Sequence, residues 1–578
     1  MEHSYTDEKN VQILIALLKA HNIKKIIASP GTTNMAFVGS VQQDSFFEIY
    51  SCVDERSAAY MACGLAYESE QPVILSCTGA TASRNYLPGL TEAFYRKLPI
   101  LAITSTQDIS KIGHHIAQVI DRSSPPTDSV RLTVTLPIVK DENDFWDCEI
   151  KINKALLELN HRGGGPVHIN LPTEYSKVYN IKTLPSVRVI RRITDTQDFP
   201  ELPKGRIAIF VGSHAPMSQK LTAEIDSFCK SHNAVVFCDH TSGYNGKYRI
   251  LYDLVACQDQ VMGRNRADVL IHIGEISGAY SQFIKTEQVW RISEDGEIRD
   301  YLKKLRYIFE IPESIFFIRY ATDNTEVAHE YFDFCKSTLT SLYEKIPDLP
   351  FSNIWIASKI SPLLPPDSCA YLSIYNTLRA WNFFTVPDSV STFSNVGGFG
   401  IDGGVSSLIG ASLVNKNKIY FCITGDLAFF YDMNVLGIRH IGNNVRILLV
   451  NNGIGTEFKN YNHPAAKFGT DGDAFMAAAG HFGNKSKYLV KHYSEDLGFK
   501  YISASSKAEF ENTYEQFITT DSVSQPILFE VFTSAEDESC ALESIMHMED
   551  SFGGKAKRLA KNILGDSGMN LIKNTLKK

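Results

Sequence analysis

Short apolar runs alternate with helical patterns along almost the whole chain. Most of these runs end in small or polar residues, as buried strands do. The segments between them have helical spacing of apolar positions, which predicts helices such as those at 55–69 and 83–97. The apolar runs lie at 24–33, 72–81, 99–107, 206–213, 234–240, 267–275, 418–426, 445–453 and 526–532. This alternation predicts an α/β protein with mainly parallel sheets and helices on both faces of each sheet.

Two breaks in the pattern divide the chain into three segments. Prolines and charged residues replace the apolar runs near 180–204 and again near 342–353. The breaks predict three doubly wound α/β domains at 1–182, 183–345 and 346–578. A chain of 578 residues is too long for one ordinary domain, which agrees with this division.

Two successive apolar runs of the last third end in polar side chains. The first stops at Asp426, and the second stops at Asn451 and Asn452. If one crossover helix joins two neighbouring strands here, their carboxyl ends bring Asp426 and Asn452 side by side. Asp426, Asn452 and the backbone carbonyl of Ile454 would then offer three oxygen ligands to Mg²⁺, and Gly425 would let a diphosphate approach. The alternative is a capped helix beside an Asn-Asn-Gly turn.

Composition and charge narrow the class of protein. Hydrophobic residues make up 44% of the chain and charged residues 21%, which is ordinary for a globular protein with large cores. The formal net charge of -8 gives no reason to expect a nucleic-acid partner. The 11 cysteines form no CxxC pairs, and several lie inside apolar runs, which is typical of reduced thiols in a cytoplasmic protein.

The two terminal segments bear on targeting and on membrane association. The stretch 1–22 is acidic and then amphipathic, which does not match a signal peptide. Apolar stretches fall short of the roughly 20 residues that a membrane span needs, so we expect a soluble, cytoplasmic protein without a membrane partner. The basic tail 555–578 has three open interpretations, as a docking helix, a membrane-surface helix or a frayed end.

The motif Gly425-Asp426-Leu427, with its two asparagines further on, resembles the diphosphate and metal motif of thiamine diphosphate (ThDP)-dependent enzymes. Further segments resemble the 2-succinyl-5-enolpyruvyl-6-hydroxy-3-cyclohexene-1-carboxylate synthases, over the first and last thirds of the chain. These segments are "SPGTTNMA" at 29–36, "DERSAAYMACGLA" at 54–66, "CTGATASRNYLPGLTEAFY" at 77–95 and "NVGGFGIDGGVSS" at 395–407. The chain is identified as a member of the ThDP-dependent 2-oxo acid decarboxylase and carboligase superfamily. The resemblance implies pyrimidine-binding, central and diphosphate-binding domains in that order.

The resemblance also implies roles for residues at the matched positions. Glu55 takes the place of the glutamate that hydrogen-bonds N1′ of the aminopyrimidine ring, although alone it could be an ordinary charge at a helix N-terminus. Ile401 takes the place of the bulky residue beneath the cofactor. The other positions matched to cofactor-binding segments are Thr78, Asn376, Thr377, Gly425 and Leu427. A homodimer or homotetramer is implied, in which Glu55 of one subunit faces Asp426 of the partner subunit.

Differences from the synthase pattern bear on the substrate. Thr33 and Val396 stand where the synthases have arginine, and neither can clamp a carboxylate with two hydrogen bonds. Each lost charge-assisted hydrogen bond is worth roughly 1.5 to 3 kcal/mol, which disfavours a multiply anionic substrate. We therefore expect a product other than the menaquinone precursor. The remaining candidate substrate contacts are Thr32, Arg379, Glu457 and Phe458.

Adjacent histidines point to another reaction of the same superfamily. His114 and His115 resemble the pair that pyruvate and indolepyruvate decarboxylases use near the substrate carboxylate and in protonating a carbanion. Histidine suits this work because its pKa is ordinarily near neutrality. Gln118 resembles a glutamine that several carboligases place close to the cofactor. The alternative is a solvated loop with two polar rings.

The resemblance implies a ThDP- and Mg²⁺-dependent enzyme that decarboxylates a 2-oxo acid donor and transfers the remaining acyl unit to an acceptor carbonyl. Two alternatives stay open, simple decarboxylation with release of an aldehyde and a catalytically silent scaffold. Retention of Glu55, Asp426 and Asn452 together argues against the scaffold. The central segment has only weak glycine-containing turns, so we expect no FAD.

Overall fold

A computed structural model of the protein describes residues 4–258, 261, 264–279, 285–322, 327–482 and 485–549. The chain forms two compact units. The first is Met1–Thr194 with Asp295–Ile308, and the second is Asp195–Glu294 with Phe309–Lys578. The three-domain division at 182 and 345 stays a prediction, and the basic tail 555–578 lies outside the described residues.

Strands and helices alternate along the chain. The strands are β1 Tyr5–Thr6, β2 Lys25–Ala28, β3 Glu48–Ser51, β4 Val73–Cys77, β5 Ile100–Thr106, β6 Leu132–Thr135, β7 Val167–Pro172, β8 Tyr179–Ile181, β9 Arg191–Ile193, β10 Ile207–Val211, β11 Ala234–Cys238, β12 Arg249–Leu251, β13 Arg266–Ile273, β14 Lys285–Ile292, β15 Leu305–Phe309, β16 Cys369–Leu372, β17 Ser391–Phe393, β18 Tyr420–Gly425, β19 Val445–Asn451, β20 Lys500–Ala504 and β21 Ile527–Phe532. The helices are α1 Lys9–Ala20, α2 Met35–Val41, α3 Glu55–Ser69, α4 Thr81–Asn85, α5 Leu87–Arg96, α6 Glu142–Glu158, α7 Gln219–Ser231, α8 Asp253–Ala256, α9 Glu313–Tyr320, α10 Glu330–Glu344, α11 Asn353–Ile360, α12 Asn376–Trp381, α13 Gly404–Ser412, α14 Asp426–Asp432, α15 Leu489–Asp496, α16 Lys507–Glu511, α17 Tyr514–Ile518 and α18 Ala535–Met546.

The main sheet of the first unit is parallel and has the strand order β3-β2-β4-β5-β7-β6. Successive strand residues point to opposite faces, and both faces are covered. Ile26 and Ile74 pack in one core with α1 and α6, while Ile27 and Leu75 pack in a second core with α3 and α5. Burial on both faces explains why these strands are continuous apolar runs rather than alternating ones.

The second unit contains two parallel arrangements. Strands β12-β11-β10-β13-β14 lie in that order in one sheet. The other sheet has the order β17-β16-β18-β19-β21-β20. Numbered along each sheet's own chain segment, this order is the same as that of the main sheet in the first unit. The predicted α/β class with mainly parallel sheets is confirmed.

The shared strand order places a topological switch point in each of these two sheets. The switch lies between β2 and β4 in the first unit and between β16 and β18 in the second. Ligands of open α/β sheets bind at such points, outside the carboxyl ends of the strands. Among the described residues, no helix has the length and apolar character that a membrane crossing needs.

Candidate functional site

The candidate site in the second unit begins where β18 ends. Helix α14 starts at Asp426, directly after Gly425, and Gly425 lies beside Val450 of the parallel neighbour β19. One carboxylate oxygen of Asp426 accepts a hydrogen bond from the backbone N–H of Gly453 at 2.6 Å, and the other accepts one from Leu427 at 2.7 Å. The structure therefore brings Asp426 and the turn after β19 together.

Asn452 lies in that turn, half-buried. Its side-chain oxygen accepts a hydrogen bond from the backbone N–H of Ile454 at 3.4 Å, and its side-chain nitrogen approaches the hydroxyl of Thr456 at 3.5 Å. Both contacts are long, so they leave the side-chain oxygen with capacity for a further partner. The carboxylate of Asp426 and the carboxamide of Asn452 thus meet at one sheet edge.

Two buried carboxylic acids at this edge have raised pKa values. Burial raises the pKa of Asp426 to about 6, although the N–H groups of Leu427 and Gly453 oppose the shift. Burial also raises the pKa of Glu538 to about 7, against hydrogen bonds from the Thr533 hydroxyl and the Asn353 N–H, and the negative charge of Asp426 raises it further. Without a cation, both side chains therefore resist ionisation.

A cavity of about 580 Å³ opens beside these residues. The described residues that line it are Asn353, Ser373, Ile374, Tyr375, Asn376, Thr377, Phe399, Gly400, Ile401, Gly425, Asp426, Leu427, Ala428, Val450, Asn452, Ile454, Gly455, Thr456, Glu457, Phe458, His463 and Glu538. Three of them are carboxylic acids, and none is lysine or arginine. A volume of this size suits a cofactor or a drug-sized ligand.

The residues at this edge fit a diphosphate carried by a divalent cation. A Cβ placed on Gly425 would meet open space, so a ligand can approach the backbone there. An anionic diphosphate beside Asp426 needs a cation between them, and hard oxygen donors suit Mg²⁺. Within the described part of the chain, no group of three or more His, Cys, Asp and Glu side chains could hold a metal ion. Such a cation would therefore depend on amide and backbone oxygens as well as on Asp426.

Helix α12 contributes Asn376 and Thr377 to the lining of the cavity. The side chain of Asn376 donates to the hydroxyl of Thr456 at 3.0 Å and accepts from Asn460 at 3.1 Å. The hydroxyl of buried Thr377 accepts from the side chain of Asn353 at 3.1 Å. These bonds tie α12 to α11 and to the turn after β19. The backbone of Tyr375, just before the helix, has φ +67°, a costly conformation for a side chain with a Cβ.

Arg379 and Glu457, two sequence-predicted substrate residues, form an ion pair. The guanidinium Nη1 and the carboxylate Oε1 lie 2.6 Å apart, and the guanidinium also stacks 5.2 Å from the ring centre of Tyr375. Glu457 and Phe458 line the cavity, whereas Arg379 stands behind Glu457. The arginine charge is thus compensated from within the protein.

In the first unit, Glu55 occupies the first turn of α3. The helix is capped by the neighbouring Asp54, whose side chain accepts the N–H of Ser57 at 2.7 Å. Glu55 is half-buried, and the amide of Asn85 reaches its carboxylate only at 3.5 Å. Asp54 rather than Glu55 caps the helix, so capping does not account for a carboxylate at position 55. The carboxylate of Glu55 can still accept a stronger hydrogen bond from another group.

Thr33 and Thr78 meet at the switch point of the first unit. Their hydroxyls form a short hydrogen bond, and the Thr33 hydroxyl also donates to the carbonyl of Ser105 at 3.1 Å. Thr33 is buried and joins the ends of β2, β4 and β5, while neighbouring Thr32 is exposed. The structure therefore places Thr32, rather than Thr33, where a ligand could reach a side chain.

His114, His115 and Gln118 lie in exposed turns after β5. His115 has φ +55° and Gln118 has φ +64°, both in the left-handed region. Non-glycine residues in that region cost free energy and often cluster at functional sites. The loop contains two such residues, but in the single chain the side chains of His114 and His115 are exposed to solvent.

Sequence reasoning missed two residues with functional potential. Glu538 follows β21, and the strand-end rule that selected Asp426 could have found it. Arg122 lies buried beneath the turn that contains Gly79, where the guanidinium Nη1 would stand 3.4 Å from an added Cβ. A lone arginine in a polar loop carries no signal of burial in the sequence.

A family model matches part of the first unit of this chain. Residues 9–124 match the model of the family described as "Thiamine pyrophosphate enzyme, N-terminal TPP binding domain". This segment includes Glu55, Thr78 and the histidine loop.

Curated relatives cover the chain almost end to end. The 2-succinyl-5-enolpyruvyl-6-hydroxy-3-cyclohexene-1-carboxylate synthase of Phocaeicola vulgatus is 31% identical over 566 residues, which are 94% of this chain and 99% of the relative. The synthase of the same name from Bacteroides fragilis is 29% identical over 565 residues, with the same coverage. That from Flavobacterium psychrophilum is 28% identical over 550 residues, 90% of this chain and 95% of the relative.

Proposed function

Because this chain belongs to the family of thiamine diphosphate-dependent enzymes, we propose that it decarboxylates a 2-oxo acid and transfers the remaining acyl unit to an acceptor carbonyl. The observation that carries the proposal is the sheet edge at Asp426 and Asn452, which opens on a cavity of about 580 Å³. Bound ThDP supplies an electron sink for the pair of electrons left when CO2 departs.

Mg²⁺ and the diphosphate are assigned to the second unit. Asp426, the side-chain oxygen of Asn452 and the carbonyl of Ile454 hold the metal in this proposal, with water and diphosphate oxygens completing its shell. Gly425 and Leu427 present backbone to the diphosphate. The buried acid Asp426 supports this assignment, since a cation would favour the ionised form that burial alone disfavours.

Glu55 is assigned to the aminopyrimidine end of the cofactor. Its carboxyl group would share a proton with ring nitrogen N1′, and its half-buried position makes such a hydrogen bond stronger than in water. Thr78, Asn376, Thr377 and Ile401 complete the proposed set of cofactor-binding residues.

The proposed enzyme is a homo-oligomer with active sites shared between subunits. Tyr60 and Tyr67 lie seven residues apart on α3 and are 49% and 63% exposed, and Val53, just before the helix, is 75% exposed. Such a stripe of large apolar side chains is typical of a helix packed against another helix. A second copy of this chain would cover the stripe and bring a cofactor to Glu55.

The residues at or near the positions of the synthase arginines support an acceptor that is not multiply anionic. Thr33 is committed to internal hydrogen bonds, Val396 is buried and apolar, and Arg379 is paired with Glu457. Bidentate recognition of several substrate carboxylates therefore lacks available arginines at these positions. We therefore propose that this enzyme makes a product different from the one stated in the relatives' names.

Transfer is favoured over simple decarboxylation because the similarity to the named synthases extends over 94% of the chain. One observation favours the alternative, the exposed His114–His115 pair in a strained loop, since such a pair could protonate a carbanion.

The test is CO2 release by the full chain loaded with ThDP and Mg²⁺, from a panel of 2-oxo acids with and without aldehyde and ketone acceptors. CO2 release that requires an acceptor supports transfer. Release of CO2 together with free aldehyde supports simple decarboxylation instead. Binding of ThDP without any turnover across the panel would leave the catalytically silent scaffold as the explanation.

A further inference from the structure

A small, partly open cavity lies inside the first unit, beside strand β5. Its volume is about 30 Å³, which is enough for one small ion or for one or two water molecules. The described residues that line it are Ser83, Arg84, Tyr86, Leu87, Leu90, Ala102, Thr104, Arg122, Pro125, Ser129, Val130 and His168. Two of these side chains are guanidinium groups, and none is a carboxylic acid.

Arg122 is the central polar group of this cavity. It is only 6% exposed, and its side-chain nitrogens Nε and Nη1 have no hydrogen-bond partner within the described part of the chain. Buried donors of this kind are costly unless they are satisfied, and a buried charge is more costly still. Arg84, the second guanidinium, uses Nη2 to donate to the carbonyl of Asp121 at 2.9 Å.

Among the described residues, no carboxylic acid lines the cavity beside Arg122. Burial lowers the pKa of Arg122 to about 10, with a further lowering by Arg84, so the group stays protonated at neutral pH. His168 is buried beside it, with its Nε2 at 2.7 Å from the hydroxyl of Thr104. Burial and the two arginine charges lower the pKa of His168 to about 3, so this ring is neutral. The lining of the cavity therefore carries the charge of Arg122 with no carboxylic acid among the described lining residues to pair with it.

We propose that this cavity is a binding site for a small monovalent anion of the size of chloride, held by Nε and Nη1 of Arg122. The anion would satisfy both unpaired donors and neutralise the buried charge, which water could do only in part. Inorganic halide fits the chemistry and the volume, whereas larger organic anions do not fit.

The site would stabilise the turn after β4. The Nη1 atom of Arg122 lies against Gly79, and the next residue, Ala80, has φ +55° in the left-handed region. Thr78 in the same turn bonds to Thr33. An anion that holds Arg122 in place would therefore also restrain the turn that contains Thr78, Gly79 and Ala80.

Crystals of the full chain grown in sodium bromide provide the direct test. We expect an anomalous bromide peak within contact distance of Nε and Nη1 of Arg122. A water molecule at that position, with no anomalous signal, would overturn the proposal.

Thermal unfolding in solution provides an independent test. At constant ionic strength, replacing sodium gluconate by sodium chloride should raise the unfolding temperature by about 1 to 3 °C for each tenfold increase of chloride above its dissociation constant. Equal unfolding temperatures in gluconate and chloride would contradict a site for a small anion.

Variants connect this effect to the cavity. Arg122→Met should abolish the chloride dependence, and Ala102→Val should do the same by filling the space while Arg122 is kept. Arg131→Met is the matched control, because Arg131 is paired with Glu158 outside the cavity and should leave the dependence unchanged. If Arg122→Met fails to fold, Ala102→Val still decides the question. Chloride dependence retained in Ala102→Val would refute the proposal.

Discussion

At the scale of single residues, Asp426 carries the proposed metal site. Replacing Asp426 by Ala should weaken ThDP binding in the presence of Mg²⁺ by at least about tenfold, because a charge-assisted contact is worth roughly 1.5 to 3 kcal/mol. Calorimetric titration of the full chain measures this loss. The control is Asp471→Ala, since Asp471 is exposed and lies outside the cavity lining. Equal affinity in the Asp426 variant and its control would remove Asp426 from the site.

The ion pair between Arg379 and Glu457 gives a prediction about substrate preference. Glu457→Gln should free the arginine charge for a substrate carboxylate, so kcat/KM for a dicarboxylic 2-oxo acid should rise about tenfold relative to a monocarboxylic one. Steady-state kinetics on the two acids measure the ratio. Exposed Glu511→Gln serves as the control. An unchanged ratio in Glu457→Gln would show that this pair does not set the charge preference.

Residue-level expectations from sequence succeed where chain geometry alone decides the position. Asp426 and Asn452 could be placed together because β18 and β19 are parallel neighbours whose ends share one edge. The burial and hydrogen-bond partners of individual side chains could not be predicted in the same way. The hydroxyl of Thr33 bonds inward, and Arg122 is buried without a partner, yet both stand in polar segments that look solvated in the sequence.

At the scale of elements, α3 links catalysis to assembly in the proposed enzyme, because Glu55 begins the helix that carries the exposed side chains Tyr60 and Tyr67. Tyr60→Glu places a charge among these side chains and should dissociate the oligomer, with loss of activity although Glu55 is intact. Light scattering after size-exclusion chromatography measures the mass. Tyr301→Glu is the matched control, as Tyr301 is 74% exposed in the same unit but outside α3. An oligomer that survives Tyr60→Glu would contradict an interface on this helix.

Long elements with a strong pattern could be predicted well. The expected helix at 55–69 has the same bounds as α3, since its apolar positions recur on one face and Asp54 caps it. The expected helix at 83–97 instead divides into α4 and α5 around Tyr86, where Pro88 lies in the first turn of the second helix. Short strands such as β3 and β17 were missed, because three or four partly exposed residues form no apolar run.

At the scale of the whole molecule, buried acids make stability depend on pH. Burial raises the pKa of Asp426 from 3.8 to about 6 and that of Glu538 from 4.5 to about 7 in the folded protein. The folded state thus binds these protons more tightly than the unfolded state. The stability contributed by these protons is fully present below about pH 4 and is lost as pH rises through 6 and 7.

Between pH 5 and pH 8, the free energy of unfolding should therefore fall less in Glu538→Gln than in the wild-type protein. The two decreases should differ by on the order of 1 to 3 kcal/mol. Urea unfolding of the cofactor-free chain at the two pH values measures the difference. Glu536→Gln is the control, because Glu536 is exposed on the same helix. Identical pH dependence in the Glu538 and Glu536 variants would contradict a protonated Glu538.

The repeated strand order is a feature of the whole molecule that sequence patterns did not reveal. The sheets β3-β2-β4-β5-β7-β6 and β17-β16-β18-β19-β21-β20 share one topology. Their strand ends carry different chemistry, hydroxyls and Glu55 in the first unit and Asp426 with Asn452 in the second. Topology depends on which strands pair, and apolar runs alone do not specify their partners.

The most direct test of the account is complementation between two inactive variants in one oligomer. Glu55→Gln should bind ThDP but lack turnover, and Asp426→Ala should lack cofactor binding. If each active site takes Glu55 from one subunit and Asp426 from the other, a hybrid of the two variants contains one intact site. We predict that co-expressed, separately tagged hybrids regain CO2 release that neither parent shows. Hybrids as inactive as both parents, despite confirmed mixed assembly, would contradict the shared site.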